Sequence, residues 1–294
     1  MINGRIMDKK ESMMNRMKSR KRMSLIGQIL LYAASLILLA LSFIPIILMV
    51  LLSLKSNVQI YGNFWSLPAP IQWDNYRIAV NMLIPNMVNS TLLVPVATLF
   101  TVLLSAMSGY VFARLKFPAK NFLFVLVLSW MMIPGILTLT SSYKLIQDLG
   151  MYNTWWALML PWVAGGQVFG ILLCRTFIAN HPAALFEAAR IDGATELKSF
   201  YKIALPLAKP ILATLAIMTM MGNYNDFIWP LMVIESNSKQ MITVAIRVFQ
   251  SATGTLDIGS MVAGFVFATI PLLVLFLFGS RLYIEGITSG AVKT

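Results

Sequence analysis

The chain has 294 residues, 58% hydrophobic and 12% charged, with a mean hydropathy of +0.76 and a formal net charge of +12. Soluble domains carry about 25% charged residues, so the composition excludes a soluble protein and indicates an integral membrane one. One cysteine, Cys174, and one histidine, His181, exclude an internal disulfide framework and any multi-Cys or multi-His metal site, and in a membrane protein an excess of Lys and Arg marks topology rather than nucleic-acid binding.

Residues 1–24 form a polar, basic tail that includes Lys9, Lys10, Arg20, Lys21 and Arg22. The apolar run 25–54 that follows is far longer than the ~7–15 residues of a signal-peptide core. It reads as an uncleaved first transmembrane helix with a cytoplasmic basic anchor on anionic membrane lipid. Residues 55–86 read as an outer loop. Its Phe64, Trp65, Trp73 and Tyr76 suit an aromatic belt at the membrane interface.

Five more apolar spans follow at 87–113, 122–142, 155–177, 211–234 and 260–283, each near the ~20 residues needed to cross. Interior prolines such as Pro95, Pro134, Pro161 and Pro271 are tolerated in membranes where neighbours satisfy the freed carbonyls. Six spans put both termini on one side. Of the 23 Lys and Arg, only Lys55, Arg77, Lys144, Lys239 and Arg247 fall in the opposite loops. The asymmetry predicts cytoplasmic N- and C-termini. The expected organisation is all-α: a tail 1–24, one six-helix transmembrane domain 25–285, and a cytoplasmic tail 286–294.

The segment 182–210 is a polar island about 30 residues long, where helix connections are usually ~2–8 residues. It reads as two short helices with a sharp turn. Asn180 caps the first, with Pro182 in its first turn. Leu185, Ala188 and Ala189 make a small apolar face that lets another surface approach closely. Asp192-Gly193 breaks the helix, with Gly193 at positive φ. Thr195 caps the second helix, Glu196 suits its first turn, and Leu197, Phe200, Tyr201, Ala204 and Leu205 repeat on one face. Leu205-Pro206 ends it.

The fifth span carries a polar cluster: Asn223, Tyr224, Asn225, Asp226 and Trp229. Counted from Pro210, Asp226 lies roughly 24 Å along the helix. An ionisable residue there either marks a translocation path or pins a broken helix. Tyr224 and Trp229 can stack on a flat face of a solute, and Asn223 and Asn225 can bond its hydroxyls. The competing reading is helix packing by polar groups.

Glu187-Ala188-Ala189, Asp192-Gly193-Ala194, Phe200, Ile203 and Leu205-Pro206-Leu207 resemble the EAA loop of ABC-importer permeases, in the form of the maltose-type carbohydrate-uptake branch. Residues 129–177 are similar to the same branch, with Ile133-Pro134, Leu149-Gly150, Asn153-Thr154 and Leu160-Pro161. The C-terminal tail resembles that branch at Gly286, Thr288, Gly290, Val292 and Lys293, with Thr294 where a glycine is common. The resemblance implies a type I permease fold in a bacterial cytoplasmic membrane. It implies that the EAA loop docks on an ATPase subunit and that Gly286, Gly290 and Lys293 reach the ATPase dimer. It also implies a heterodimer with a second permease, two ABC ATPases, and a solute-binding protein that docks on the outer side.

No G-x-x-x-x-G-K-[ST] occurs in the chain. The expectation is therefore a transporter subunit rather than an enzyme, with no catalytic residue, metal, cofactor or nucleic acid of its own, and with ATP and Mg on the partner ATPases. Two alternatives remain. One is a subunit of an ion-coupled secondary transporter, for which Asp226 is the only acidic residue in the proposed spans. The other is an ABC permease for a non-sugar solute.

Overall fold

The computed structural model describes residues 25–253 and 257–291, which form helices with no strand among them. Residues up to 51 make one unit and residues from 52 onward a second. The first unit is essentially helix α1 (Leu25–Ser53), a strongly apolar span with Pro45 inside it. Its Ser35 and Ser42 hydroxyls donate to the carbonyls of Leu31 and Leu38 at 2.8 and 2.9 Å. A hydroxyl bonded to its own helix is tolerated in an apolar medium.

The second unit is ordered α2 (Asn57–Gly62), α3 (Asp74–Arg114), α4 (Lys120–Ser129), α5 (Gly135–Asp148), α6 (Trp156–Ala179), α7 (Ala183–Ile191), α8 (Glu196–Leu207), α9 (Lys209–Asn225), α10 (Ile228–Val233), α11 (Ile242–Thr253) and α12 (Ile258–Ala291). Its spine is the parallel pair α3 and α6. Thr101 meets Gly166, Ser105 meets Gly170, and Gly109 meets Cys174, three contacts spaced four residues apart on both helices. A Cβ on Gly166 would lie 2.6 Å from Thr101 Cγ2, and one on Gly109 would lie 2.5 Å from Cys174 Cβ. A Cβ on Gly170 would fall on Ser105 Oγ. Without a hydrophobic force between helices in lipid, small residues that let backbones approach are what hold such a pair together. Ser105 Oγ donates to Gln167 Oε1 at 3.1 Å, and Gln167 Nε2 donates to the carbonyl of Val163, so these two polar side chains are satisfied.

The second predicted span, 87–113, is the far part of a longer helix. α3 begins at Asp74, inside the stretch 55–86 that reads as an outer loop. Asn75, Asn86 and Asn89 are buried and serve as posts for neighbouring chain. Asn75 Nδ2 donates to the carbonyls of Ser53 and Lys55, Asn86 Nδ2 to Asn237 and Gln240, and Asn89 Nδ2 to Ser238 and Gln240, all within 2.8–3.1 Å. Lys55, wholly buried, donates to the carbonyls of Asn63 and Phe64 and to Ser66 Oγ. It gathers the 56–66 loop around one ammonium group.

Two other predicted spans are broken. The third bends by 98° between α4 and α5. Pro134 lacks an N–H and drives Ile133 to an extended conformation (φ −88, ψ 113). The fifth is preceded by a 76° bend between α8 and α9, and its own helix stops at Asn225 before restarting as α10. Among the described residues there are thus four helices long and apolar enough to cross a membrane, or up to six if each bent pair is one span. The amphipathic α11 lies where the sequence reading placed only loop.

The seam gives a paired prediction. Gly170→Val should destabilise the protein by about 1–3 kcal/mol through overpacking. Gly165→Ala, whose Cβ meets nothing within 4 Å, should leave it unchanged. Thermal unfolding of the purified protein in detergent checks both, and equal shifts would remove the seam from the account.

Candidate functional site

The connection between α6 and α9 folds as the two-helix device expected, with several local differences. Pro182 itself occupies the N-cap position of α7 (φ −58, ψ 132), and no side chain caps that helix, so the expected capping by Asn180 is not made. The far end follows the expectation. Gly193 sits at φ +75. Its N–H bonds the carbonyl of Arg190 at 3.0 Å, and the N–H of Ala194 bonds that of Ala189 at 2.9 Å. This pair of bonds is a Schellman closure, which requires a left-handed residue at that position. Thr195 then caps α8 by accepting from the N–H of Lys198.

α8 does not end at Leu205-Pro206. Phe200–Ala204 widens into a π-turn, and the N–H of Leu205 reaches back to the carbonyl of Phe200. Pro206 follows immediately, so the wider turn accommodates a residue with no N–H to offer. The helix continues to Leu207 and turns at Ala208.

Two aromatic anchors fasten the device to the Arg114 end of α3. Phe186 of α7 and Phe200 of α8 are buried. Both pack on Tyr110, with ring centroids 6.1 and 5.6 Å away. The expected apolar stripe of α8 is therefore divided: Phe200 and Ala204 face inward, and Leu197 and Tyr201 are exposed. Tyr110 OH donates to Glu196 Oε2 at 2.7 Å, and Arg190 Nε donates to Glu196 Oε1 at 2.7 Å. One carboxylate thus ties α7, α8 and α3. The Arg190 hydrogen bond holds the Glu196 carboxyl below the usual carboxylate range, so the pair stays ionised at neutral pH and is lost only as pH falls through that lowered value. Arg114 lies 4.2 Å over the Phe186 ring and donates to the carbonyls of Ile178 and His181, closing the end of α6.

Tyr110, Arg114, Arg190 and Glu196 were not among the expected site residues. Only the proximity of Arg190 to Glu196 across the turn hinted at them, because Tyr110 and Arg114 arrive from another helix. The expected residues mostly face outward. Glu187, Ala188, Asp192, Gly193 and Pro206 are exposed, while Ala189, Ala194 and Leu205 are half-buried. Leu185, Ile191 and Leu197 are exposed as well. They leave an apolar outer face beside the Glu187 carboxylate.

The polar cluster of the fifth span is drawn into the scaffold. Tyr224 is buried and donates to the carbonyl of Ala268 at 2.7 Å. Trp229 is buried and donates to the carbonyl of Ala157 at 2.8 Å. Asp226 accepts from Trp162 Nε1 at 2.7 Å and from the N–H of Trp229 at 3.3 Å, so it caps α10 and pins the break. Asn225 donates to its own helix at Met221. Asn223 differs: its Nδ2 is buried and has no hydrogen-bond partner. It lines a cleft of about 350 Å3 that shares Pro161, Trp162 and Gly165 with a second cleft of about 550 Å3. Trp130, Thr138 and Ser142, from the bent α4–α5 span, line the second cleft. Added Cβ atoms on Gly165 and Gly222 would meet nothing within 4 Å, so both glycines border open space. Gly286 and Gly290 fall within α12, which runs to Ala291; Lys293 lies outside the described residues. Among the described residues, no group of three or more His, Cys, Asp or Glu is arranged to hold a metal ion.

The three-way tie at Glu196 makes a measurable claim. Tyr110→Phe and Glu196→Gln, alone and together, should show a coupling energy on the order of 1 kcal/mol in thermal unfolding. Additive effects would mean that Tyr110 and Glu196 act independently.

Residues 101–284 match the family described as binding-protein-dependent transport system inner membrane component. The probable ABC transporter permease protein YurM of Bacillus subtilis (strain 168) is 34% identical over 250 residues, covering 85% of this chain and 83% of the relative. The arabinooligosaccharides transport system permease protein AraQ of Halalkalibacterium halodurans is 35% identical over 205 residues, covering 70% of this chain and 72% of the relative. In fold, the chain matches a solved bacterial ABC transporter involved in the import of the acidic polysaccharide alginate, with a TM-score of 0.76 at 20% identity over 89% of this chain and 98% of that one. The chain is therefore a multi-pass membrane protein that belongs to the family of binding-protein-dependent transport system inner membrane components, the permeases of ABC importers.

Proposed function

We propose that this permease carries a carbohydrate, an oligosaccharide in particular, and that it is driven through the α7–Gly193–α8 device by ATPases bound outside the chain. The observation that carries the reading is the two-sided build of that device. Phe186, Phe200 and Glu196 fasten it rigidly to α3, while Leu185, Glu187, Ala188, Ile191 and Leu197 stay exposed on its far side. A rigid lever with an unfilled apolar face transmits a push from a docked partner into the bundle. Two ATPases holding ATP and Mg would supply the push, a second permease would complete the pathway, and a solute-binding protein would deliver the sugar. The Lys and Arg distribution supports cytoplasmic termini and a cytoplasmic α7–α8 device in a bacterial cell membrane. Several relatives are named for oligosaccharides, including arabinooligosaccharides and melibiose, raffinose and stachyose, which supports the substrate class.

For the sugar path, the joined clefts at Pro161, Trp162 and Gly165, the second of which Trp229 also lines, fit better than the buried Tyr224. Trp130 offers an exposed ring, Thr138 and Ser142 offer hydroxyls, and Asn223 offers an unspent amide. An apolar ring face beside hydrogen-bonding groups is what a sugar's two kinds of surface require.

Uptake of labelled arabinotriose, raffinose and maltotriose by cells with and without the gene tests the substrate class; no sugar-dependent difference would refute it. Within the complex, Gly193→Val forces a β-branched residue to φ +75, a genuine steric outlier. With Glu187→Lys, it should lower uptake about tenfold or more and release the ATPase on purification. Gly222→Leu should block uptake yet leave the ATPase bound, because it fills open space distant from α7. Uptake unchanged by Gly222→Leu would move the path elsewhere.

A further inference from the structure

Four cations gather where α3 ends and α4 begins, and among the described residues none is paired with a carboxylate. Arg114 closes α3, Lys116 stands two residues on and is exposed, and Lys120 opens α4. Lys120 Nζ folds back onto the carbonyl of Leu115 at 2.8 Å and that of Ala113 at 3.5 Å, which brings its charge back to the end of α3. Arg175 arrives from α6 and lies 3.7 Å over the ring of Phe124, one turn along α4 from Lys120. Phe124 is buried and packs on Phe112 at 5.5 Å, and Phe112 packs on Phe117 at 5.8 Å. The charges of Arg114, Lys120 and Arg175 are thus held in place by carbonyls and ring faces, and none of these contacts neutralises them.

Two further features point the same way. Ala119 stands at the N-cap of α4 with φ 58 and no side-chain cap, so the first N–H groups of α4 add partial positive charge at this corner. Beyond the corner, α4 exposes Phe122, Val125 and Leu126 at 68%, 62% and 56%. A positive corner at the end of a spanning helix, continuous with an apolar surface, has the two-part chemistry of a phospholipid: an anionic head and acyl chains.

We propose that this corner binds the phosphate of an anionic phospholipid, with Lys116, Lys120 and Arg175 around the head and the acyl chains along Phe122, Val125 and Leu126. Free phosphate shares the head chemistry but leaves the apolar strip unused.

The test is native mass spectrometry of the transporter complex purified in detergent, titrated separately with phosphatidylglycerol, phosphatidylcholine and inorganic phosphate. The wild type should retain phosphatidylglycerol over phosphatidylcholine. Lys116→Gln with Lys120→Gln should weaken phosphatidylglycerol retention roughly tenfold or more. Lys116→Gln alone, at an exposed position that cannot disturb folding, should give a smaller loss in the same direction. Lys209→Gln, an equal loss of charge elsewhere, should change nothing. Three results would overturn the proposal: equal retention of the two lipids, displacement of phosphatidylglycerol by inorganic phosphate at matched concentration, or a double variant that keeps the lipid but sheds a protein subunit.

Discussion

The close approach of α3 and α6 is the constraint on which the rest of the second unit depends. Three small-residue contacts, Thr101 on Gly166, Ser105 on Gly170 and Gly109 on Cys174, fix both the separation and the register of two parallel helices. Once that register is set, the end of α6 falls under Arg114, and the α7–α8 segment that leaves it is delivered to Tyr110. At the other end of the pair, Trp162 is placed to donate to Asp226. A one-residue change of register would misplace all of these. The α7–α8 device is thus positioned by a contact well removed from it, which is the usual relation between a rigid scaffold and the segment it presents.

The second organising theme is that polar groups in apolar surroundings hold broken chain together. A helix that stops inside a membrane leaves carbonyls and N–H groups without partners, which is expensive where no water reaches them. Here the breaks are repaired locally. Asp226 caps α10, Thr243 Oγ1 donates to the carbonyl of Asp226 at 2.7 Å, and Trp229 reaches Ala157. The asparagines of α3 do the same for the 237–240 loop. Tyr224, Asp226 and Trp229 each fasten one helix to another, while Asn223 lines an open cleft bordered by glycines.

The α7–α8 device combines both themes. Its inner side is an aromatic cluster with one carboxylate tied to three helices, and its outer side is left unfilled. That division is what the proposed role as a lever requires. A segment packed on every face would have nothing to offer a partner, and one packed on none would bend rather than transmit a displacement. The π-turn ahead of Pro206 is the local adjustment that lets the second arm carry a proline and still run on to Leu207.

Much of this was legible in the chain itself. Apolar run lengths near the thickness of a bilayer, and Lys and Arg set on one side of them, determined a multi-span membrane protein with a long polar segment between two spans. Asp192-Gly193 followed by Thr195 determined the turn and the cap in that segment, because φ +75 and an N-cap hydroxyl are demands that few residue types meet. What the sequence left open was every question of facing. Whether Asn75 and Asn86 meant loop or buried post, whether Asp226 served a path or a pin, and which half of the α8 stripe turned inward all depended on partners 20 to 154 residues away. Periodicity describes the faces of one helix. Only the tertiary structure decides what each face meets, because the seam between α3 and α6 has to form before any of those distant partners exists.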